Sequence, residues 1–228
     1  MNSNQLTDKF LFISRPLGTD SVFHQLKTKG WKICDKSLLK IEYRRIDIIP
    51  ASDWIFFYSP NAVKSFAENV DRLQFNIHSV KLAAYGQGTA ESIHSCKWKA
   101  DFIGSGEALS TSQMFNEIAS DSKVLFPMAL HSKHALLASG NNTFSPIDLV
   151  VYENSLNPTE ILPCNVYIFT SSLNVKSFFV FNDIQESAQV IAIGRPTSDT
   201  LAEYYQGKIN VPSAPTESEL FKMIKESI

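Results

Sequence analysis

Asp53-Trp-Ile-Phe-Phe-Tyr-Ser-Pro-Asn-Ala-Val-Lys-Ser-Phe66 is the stretch that the rest of the chain repeats. It occurs again as Asn165-Val-Tyr-Ile-Phe-Thr-Ser-Ser-Leu-Asn-Val-Lys-Ser-Phe178, at a constant offset of 112 residues and with six of fourteen positions identical. Each copy opens with an apolar run of four or five residues, which is typical of a strand buried on both faces. Apolar residues at helical spacing follow, so each copy predicts a strand that leads directly into a helix.

A serine separates the strand from the helix in both copies, at Ser59 and at Ser171. Serine is a preferred N-terminal cap because its hydroxyl accepts a hydrogen bond from a backbone N–H of the first turn. Pro60 follows the first serine, where the first turn of a helix tolerates proline. Each unit therefore presents a hydroxyl and unpaired backbone N–H groups at the carboxyl end of its strand.

The bulk composition restricts the classes of function. The chain has 228 residues, and a repeat separated by about half that length favours two domains. A net charge of -2 without a dense basic run argues against a nucleic-acid surface. The polar N-terminus has no signal-peptide pattern, and no apolar stretch approaches the ~20 residues of a membrane span. We therefore expect neither a nucleic-acid partner nor a membrane.

The cysteines indicate the redox compartment. Cys34, Cys96 and Cys164 are odd in number and widely spaced, which suits neither a disulfide framework nor a CxxC metal site. We therefore expect reduced thiols and a cytoplasmic protein.

Strand and helix patterns alternate in both halves of the chain, and the predicted helices include residues 20–29 and 131–139. This alternation predicts an α/β fold with two doubly wound parallel-sheet domains related by duplication. In such sheets, ligands bind at the carboxyl ends of the strands.

The duplication extends beyond the two opening copies. Residues 85–89 match residues 193–197, and an offset of 109 aligns residues 38–43 with residues 147–152, which places Tyr43 opposite Tyr152. We interpret these matches as remnants of one ancestral half.

Six motifs, in order and spacing, resemble the uroporphyrinogen-III synthase family. They are Ser14-Arg15-Pro16, Phe57-Tyr-Ser-Pro-Asn-Ala-Val63, Ala84-Tyr-Gly-Gln-Gly-Thr-Ala90, Val151-Tyr152, Phe169-Thr-Ser-Ser172 and Ala192-Ile-Gly-Arg-Pro-Thr197. The resemblance covers essentially the whole chain. It implies two α/β domains joined by a two-stranded connector, with the active site in the interdomain cleft.

Mapped onto this chain, the resemblance implies one discontinuous domain and one inserted domain. The discontinuous domain would comprise residues 1–37 plus 158–228, and the inserted domain residues 43–148. The connecting strands would be residues 38–42 and 149–153.

The resemblance also implies a reaction. The family cyclises hydroxymethylbilane, a linear tetrapyrrole, to uroporphyrinogen III with loss of water and inversion of ring D. The enzyme would be a lyase of haem biosynthesis that uses no cofactor and no metal, and it would act as a monomer on this small-molecule substrate. Tyr152 matches the family's candidate for the catalytic proton donor, and a tyrosine phenol can donate a hydrogen bond at neutral pH.

The substrate of the family carries eight carboxylates, whereas this chain is slightly acidic, so ion pairing alone cannot account for binding. Helix N-termini at the strand ends offer N–H groups and the positive end of the helix dipole. We expect the substrate contacts to come from Arg15, Ser59, Asn61, Thr89, Ser171, Arg195 and Thr197. The chain departs from the family pattern at Tyr58, where threonine is usual, and at Arg195-Pro196, where small hydroxyl residues are usual.

Other interpretations of these residues stay open. The serines and threonines could serve only as helix caps, Tyr152 could be a packing residue, and Arg15 could pair with a carboxylate. The whole chain could be a non-catalytic two-lobed module that binds a small anionic ligand.

Two further alternatives are less favoured. Gly86-Gln-Gly88 suggests a dinucleotide fingerprint, but Glu91 stands where the third glycine would be. His131 and His134 have a spacing that a metal site could use, but no cysteine or carboxylate lies nearby in the sequence.

Overall fold

A computed structural model describes residues 9–132 and 142–225 of the chain. The helix predicted for residues 131–139 falls almost entirely outside these residues. The chain divides into two compact units. The central unit is Ile41–Asn154, and the terminal unit combines Met1–Lys40 with Ser155–Ile228.

The central unit alternates strands and helices. Its strands are β4 (Trp54–Phe57), β5 (Lys81–Ala84), β6 (Phe102–Ile103), β7 (Lys123–Ala129) and most of β8 (Ser145–Leu156). Its helices are α2 (Pro60–Leu73), α3 (Gln87–Ser95) and α4 (Ala108–Ile118), with a 3-10 turn at Ile77–Ser79. The strand order is β3-β8-β7-β4-β5-β6, where β3 is Leu39–Tyr43, and the pairs from β8 to β6 are parallel.

The terminal unit is assembled from both ends of the chain. The first segment supplies β1 (Lys9–Ile13), α1 (His24–Lys27) and β2 (Trp31–Asp35). The second segment supplies β9 (Val166–Phe169), α5 (Ser172–Phe178), β10 (Gln189–Ala192), α6 (Arg195–Ala202), β11 (Ile209–Asn210) and α7 (Glu217–Lys225). All strand pairs in the order β11-β10-β9-β1-β2 are parallel.

The two sheets share one layout. In the central unit, the strands in the spatial order β6-β5-β4-β7-β8 all come from one continuous segment of the chain. In the terminal unit β1 and β2 occupy the places of β7 and β8, although they come from the opposite end of the chain. The units are therefore related by duplication combined with a permuted connection.

The opening repeat lies at the middle of each sheet. Successive side chains of β4 pack into different hydrophobic clusters, with Ile55 and Phe57 in one and Trp54 and Phe56 in the other. The terminal unit divides β9 in the same way, so its sheet also has two apolar faces. A strand buried on both faces has no polar positions, which explains the uninterrupted apolar runs.

These features confirm the α/β class and the duplicated parallel sheets predicted from the sequence. The helix predicted at residues 20–29 is shorter, because the segment before His24 forms turns with hydrogen bonds to the third residue back, such as His24 N to Ser21 O. Within the described residues, no helix combines the length and apolar character that crossing a bilayer requires.

Candidate active site

A pair of hydroxyl groups lies at the carboxyl edge of the central sheet. Ser59 follows β4 and caps α2, and its Oγ accepts a hydrogen bond from the N–H of Ala62 at 3.2 Å. The same Oγ lies 3.0 Å from the Oη of Tyr152, within hydrogen-bonding distance. Tyr152 is only 7 % exposed and belongs to the core cluster around β4 and α2. The surrounding core therefore holds the phenol ring, and its hydroxyl lies beside the start of a helix.

An irregularity in β8 positions Tyr152. Met128 of β7 pairs with Val150, but the next residue pairs with Tyr152, so Val151 is an extra residue in the strand. Such bulges turn the following side chain away from its regular direction. The carbonyl of Val151 accepts a hydrogen bond from Arg44 N at 2.7 Å and another from the Oγ of buried Ser65. The freed carbonyl is therefore satisfied, which stabilises the bulge.

Aromatic residues surround the loop after β4. Tyr58 stacks on Phe126 with ring centroids 5.7 Å apart and contacts Tyr85 at 5.8 Å. Burial, with a smaller contribution from the charge of Glu107, raises the pKa of Tyr85 above its usual value. Tyr58, which stands where the resemblance implies threonine, is thus a packed ring held by two aromatic neighbours.

The helices α2 and α3 begin at neighbouring strand ends, because β4 and β5 are parallel neighbours whose last residues, Phe57 and Ala84, are paired. Ser92 of α3 donates to the carbonyl of Pro60 at 3.4 Å, which links the two helices. α3 begins at Gly86 without a side-chain cap, and Thr89 in its first turn is 5 % exposed. A Cβ at Gly86 would lie 3.1 Å from the backbone of Gly106, so the close approach of these two loops favours glycine. The structure therefore brings the edges carrying Ser59, Asn61 and Thr89 together.

The carboxyl edge of the terminal sheet has a serine in the equivalent place. Ser171 caps α5, and its Oγ accepts from the N–H of Asn174 at 3.3 Å. Here the second contact is the Nδ2 of Asn174 at 2.9 Å, where Ser59 has a phenol. Both predicted serines are therefore helix caps, as the simpler interpretation holds, but only Ser59 also contacts a tyrosine.

Arg15 lies beside this edge and pairs with a carboxylate. Its guanidinium is 3.5 Å from Glu217, which also accepts from Ser21 at 2.5 Å. The Nε of Arg15 is buried and has no hydrogen-bond partner in the part of the chain that the structure describes. Arg15 is thus held in place by Glu217, and its side chain remains 40 % exposed.

Arg195 and Thr197 lie at the start of α6 in the same unit. α6 begins at Gly194 without a side-chain cap, as α3 does at Gly86. Thr197 is 4 % exposed, whereas Arg195 is exposed to solvent. The hydroxyl of Ser172 donates to the carbonyl of Pro196 at 2.9 Å, so the starts of α5 and α6 adjoin.

The structure corrects one part of the repeat alignment. Ser65 and its duplicate Ser177 donate to the carbonyls of Val151 and Leu38 respectively. These two carbonyls are therefore equivalent. The residues that follow them, Leu39 and Tyr152, are counterparts in the two units. The predicted alignment of Tyr43 with Tyr152 is wrong, because β2 occupies the place of β8 in the terminal sheet and Tyr43 lies in the next strand, β3.

Sequence reasoning missed a pair of asparagines. Asn69 donates to the carbonyls of Arg44 and Ser65 and accepts from Ile46 N. Asn182 makes the same three bonds with a corresponding set of groups, which are the carbonyls of Thr159 and Phe178 and the N–H of Ile161. The asparagines are 113 residues apart rather than 112, so the constant offset of the repeat hid the signal.

No group of three or more metal-ligating side chains occurs among residues 9–132 and 142–225. The predicted site residues form two sets, one on each unit. The central unit carries Ser59, Asn61, Thr89 and Tyr152, and the terminal unit carries Arg15, Ser171, Arg195 and Thr197.

Comparison with known proteins gives a consistent result. The family model for uroporphyrinogen-III synthase HemD matches residues 20–222. No curated protein sequence matches the chain significantly. Among solved structures, the chain resembles a uroporphyrinogen-III synthetase from Helicobacter pylori 26695, with 19 % identity, a TM-score of 0.72 and coverage of 97 % of this chain and 100 % of that one.

A second solved structure has the same fold. It is a mutant uroporphyrinogen III synthase from the extremely thermophilic bacterium Thermus thermophilus, with 13 % identity and a TM-score of 0.56. The match covers 96 % of this chain and 100 % of that one. At these identities the structural matches establish the fold, whereas the family model establishes family membership.

Proposed function

This chain belongs to the uroporphyrinogen-III synthase HemD family, and from that premise we propose that it cyclises hydroxymethylbilane to uroporphyrinogen III. In this reaction the terminal hydroxymethyl group of the substrate loses water, ring D inverts through a spiro intermediate, and the macrocycle closes. The observation that carries the proposal, besides the family match, is a tyrosine hydroxyl beside a helix start at the carboxyl edge of a parallel sheet. Ligands of α/β folds bind at that edge.

Tyr152 is the proposed proton donor to the departing hydroxyl. Its ring is buried while its Oη lies at the start of α2, which suits a donor of fixed direction. A positioned general acid contributes roughly 10²–10⁴-fold to a rate. Because the azafulvene formed by loss of water is very reactive, we expect positioning of ring D to supply much of the remaining acceleration.

Main-chain amides are the proposed anchors for substrate carboxylates. α3 and α6 both begin at a glycine without a side-chain cap, so first-turn N–H groups are left for a ligand. Each contact with a helix dipole is worth about 0.3–1 kcal/mol, so added hydrogen bonds and charges are needed. Arg195 is exposed beside one of these helix starts, and Arg15 is the proposed second charge.

Ser59, Asn61, Thr89, Ser171 and Thr197 complete the proposed set of substrate contacts. The proposal includes a monomeric lyase that needs no cofactor or metal. The three free cysteines suit a reducing compartment, which supports a cytoplasmic location.

Product analysis tests the proposal. Freshly prepared hydroxymethylbilane is incubated with the protein, and the type I and type III isomers of uroporphyrinogen are separated. We expect type III to dominate, because spontaneous closure without the enzyme yields type I. A non-catalytic module that binds a small anion would leave only type I, and that outcome would overturn the proposal.

A further inference from the structure

We propose that Ser59 is a positioning residue that directs the proton of Tyr152 towards the substrate. The inference rests on the proposed function and assigns a further task to Ser59, which is already a helix cap and a proposed substrate contact. It starts from one short contact, in which the Oγ of Ser59 lies 3.0 Å from the Oη of Tyr152.

Either hydroxyl can donate in this contact, and the inference assigns the donor role to Ser59 during the reaction. A hydroxyl has one proton to donate and two lone pairs to accept with. The N–H of Ala62 occupies one lone pair of Ser59 and leaves its proton available. When Ser59 donates that proton to the Oη of Tyr152, the phenolic proton of Tyr152 must point elsewhere. The departing hydroxyl of the substrate is then the acceptor for it.

The surroundings keep Tyr152 in reach of Ser59. The ring is packed in the core with residues of β4 and α2, and the bulge at Val151 is tied to α2 by Ser65. The cap and the phenol are therefore both attached to the same helix. A chain of hydrogen bonds from Ala62 N through Ser59 to Tyr152 also polarises each successive hydroxyl.

The terminal unit supplies an internal comparison. Ser171 caps its helix in the same way, but the amide of Asn174 donates to it and Leu39 occupies the place of Tyr152. A serine cap thus needs no tyrosine for its structural role, and the phenol is an addition specific to the central unit.

Glycine and threonine variants test the inference, since glycine replaces serine at a cap at a cost of only a few tenths of a kcal/mol. We expect Ser59→Gly to lower kcat for type III formation about tenfold with little change in KM, because the lost interaction acts in the transition state. Ser59→Thr, which keeps the hydroxyl, should retain most of the wild-type kcat. In a Tyr152→Phe background, Ser59→Gly should have no further effect, because the two residues act as one unit.

Asn76→Ala is the matched control, since Asn76 caps the 3-10 turn before β5 in the same unit. It removes a cap without touching the site, so kcat should stay at the wild-type value. Several results would overturn the inference: wild-type kcat in Ser59→Gly, an equal loss in Ser59→Thr, a raised KM with unchanged kcat, or additive losses with Tyr152→Phe. In these cases the wild-type protein still forms type III product. Failure of the wild-type protein to form it would remove the proposed function and this inference together.

Discussion

The carboxyl edges of the two sheets are built alike and differ in chemistry. At each edge a serine caps the helix after the middle strand, and a second serine six residues later donates to a backbone carbonyl, that of Val151 in β8 or that of Leu38 just before β3. Next to the first serine, the central unit has the phenol of Tyr152 and the terminal unit has the amide of Asn174. The duplicated bonds are common to both units, and the difference between the edges lies at the residue that we propose as the proton donor.

The same contrast separates the two sets of charged groups. The terminal edge carries Arg15, held by Glu217, and exposed Arg195. The central edge instead carries the packed tyrosine pair Tyr58 and Tyr85. Under the proposed function, the two cationic side chains for substrate carboxylates come from the terminal edge and the proton donor comes from the central edge.

The largest expected effect is the loss of activity when Tyr152 loses its hydroxyl. Removal of a tyrosine hydroxyl from the terminal unit provides the comparison. Tyr152→Phe should lower the rate of type III formation about a hundredfold, as for loss of a general acid, with little change in stability. Tyr167→Phe is the comparison variant in the terminal unit. The buried Oη of Tyr167 accepts a hydrogen bond from the N–H of Cys164 at 2.8 Å. This change should lower the free energy of unfolding by about 1–3 kcal/mol, because a buried N–H loses its partner, and leave the rate unchanged.

Rates from the isomer assay and unfolding curves in urea, measured on both variants, check this prediction. A wild-type rate in Tyr152→Phe would remove Tyr152 from the mechanism. An equal loss of rate in both variants would mean that the two edges do not differ as described.

The paired asparagines give an intermediate effect. Each asparagine makes three equivalent bonds, but Asn69 is only 3 % exposed and also accepts from the guanidinium of Arg72 at 3.1 Å, whereas Asn182 is more exposed. Asn69→Ala should therefore cost about 2–3 kcal/mol of unfolding free energy and Asn182→Ala about 1–2 kcal/mol, since unsatisfied groups cost more when they are more buried. Urea unfolding of the two variants measures both values. A larger loss in Asn182→Ala would contradict the ranking.

The smallest expected effect concerns a buried thiol. Burial, with a smaller contribution from Cys34, raises the pKa of Cys164 to about 12. The thiol ionises more easily in the unfolded chain, so this group favours folding below pH ~9, and its contribution is lost as the pH rises from 9 towards 12. Ser52 occupies the equivalent place in the central unit, which makes Cys164→Ser the natural comparison.

Thermal unfolding from pH 8 to pH 11 tests the prediction for Cys164. The wild-type protein should lose more stability above pH 9 than Cys164→Ser does. In the folded protein a thiol reagent at pH 8 should modify Cys164 more slowly than Cys96, and unfolding should remove the difference. Rapid modification of Cys164 in the folded protein would show that the thiol is not buried as described.

The elements around the repeat could be predicted because their signals are local. The apolar runs of β4 and β9, and the serines that cap α2 and α5, follow from spacing within about a dozen residues. The position of β1 could not be predicted from periodicity, since a buried strand pattern does not say which strands are its neighbours.

The site was predictable only in part for the same reason. Ser59 and Tyr152 both carry sequence signals, but their contact spans 93 residues and depends on an extra residue in β8. The equivalence of Leu39 and Tyr152 requires knowing which carbonyl each buried serine contacts. Such long-range pairings come from packing, which no local pattern encodes.

The permuted connection of the terminal unit affects the order in which the protein can be assembled on the ribosome. β1 is synthesised before the whole of the central unit, but its neighbour β9 begins at Val166, 155 residues after the aligned part of β1 at Leu11. During that interval one edge of an apolar strand has no partner, whereas the strands β4 to β7 can pair as soon as they emerge. The central sheet can therefore be completed before the terminal sheet, and one edge of β1 stays unpaired until β9 has been synthesised.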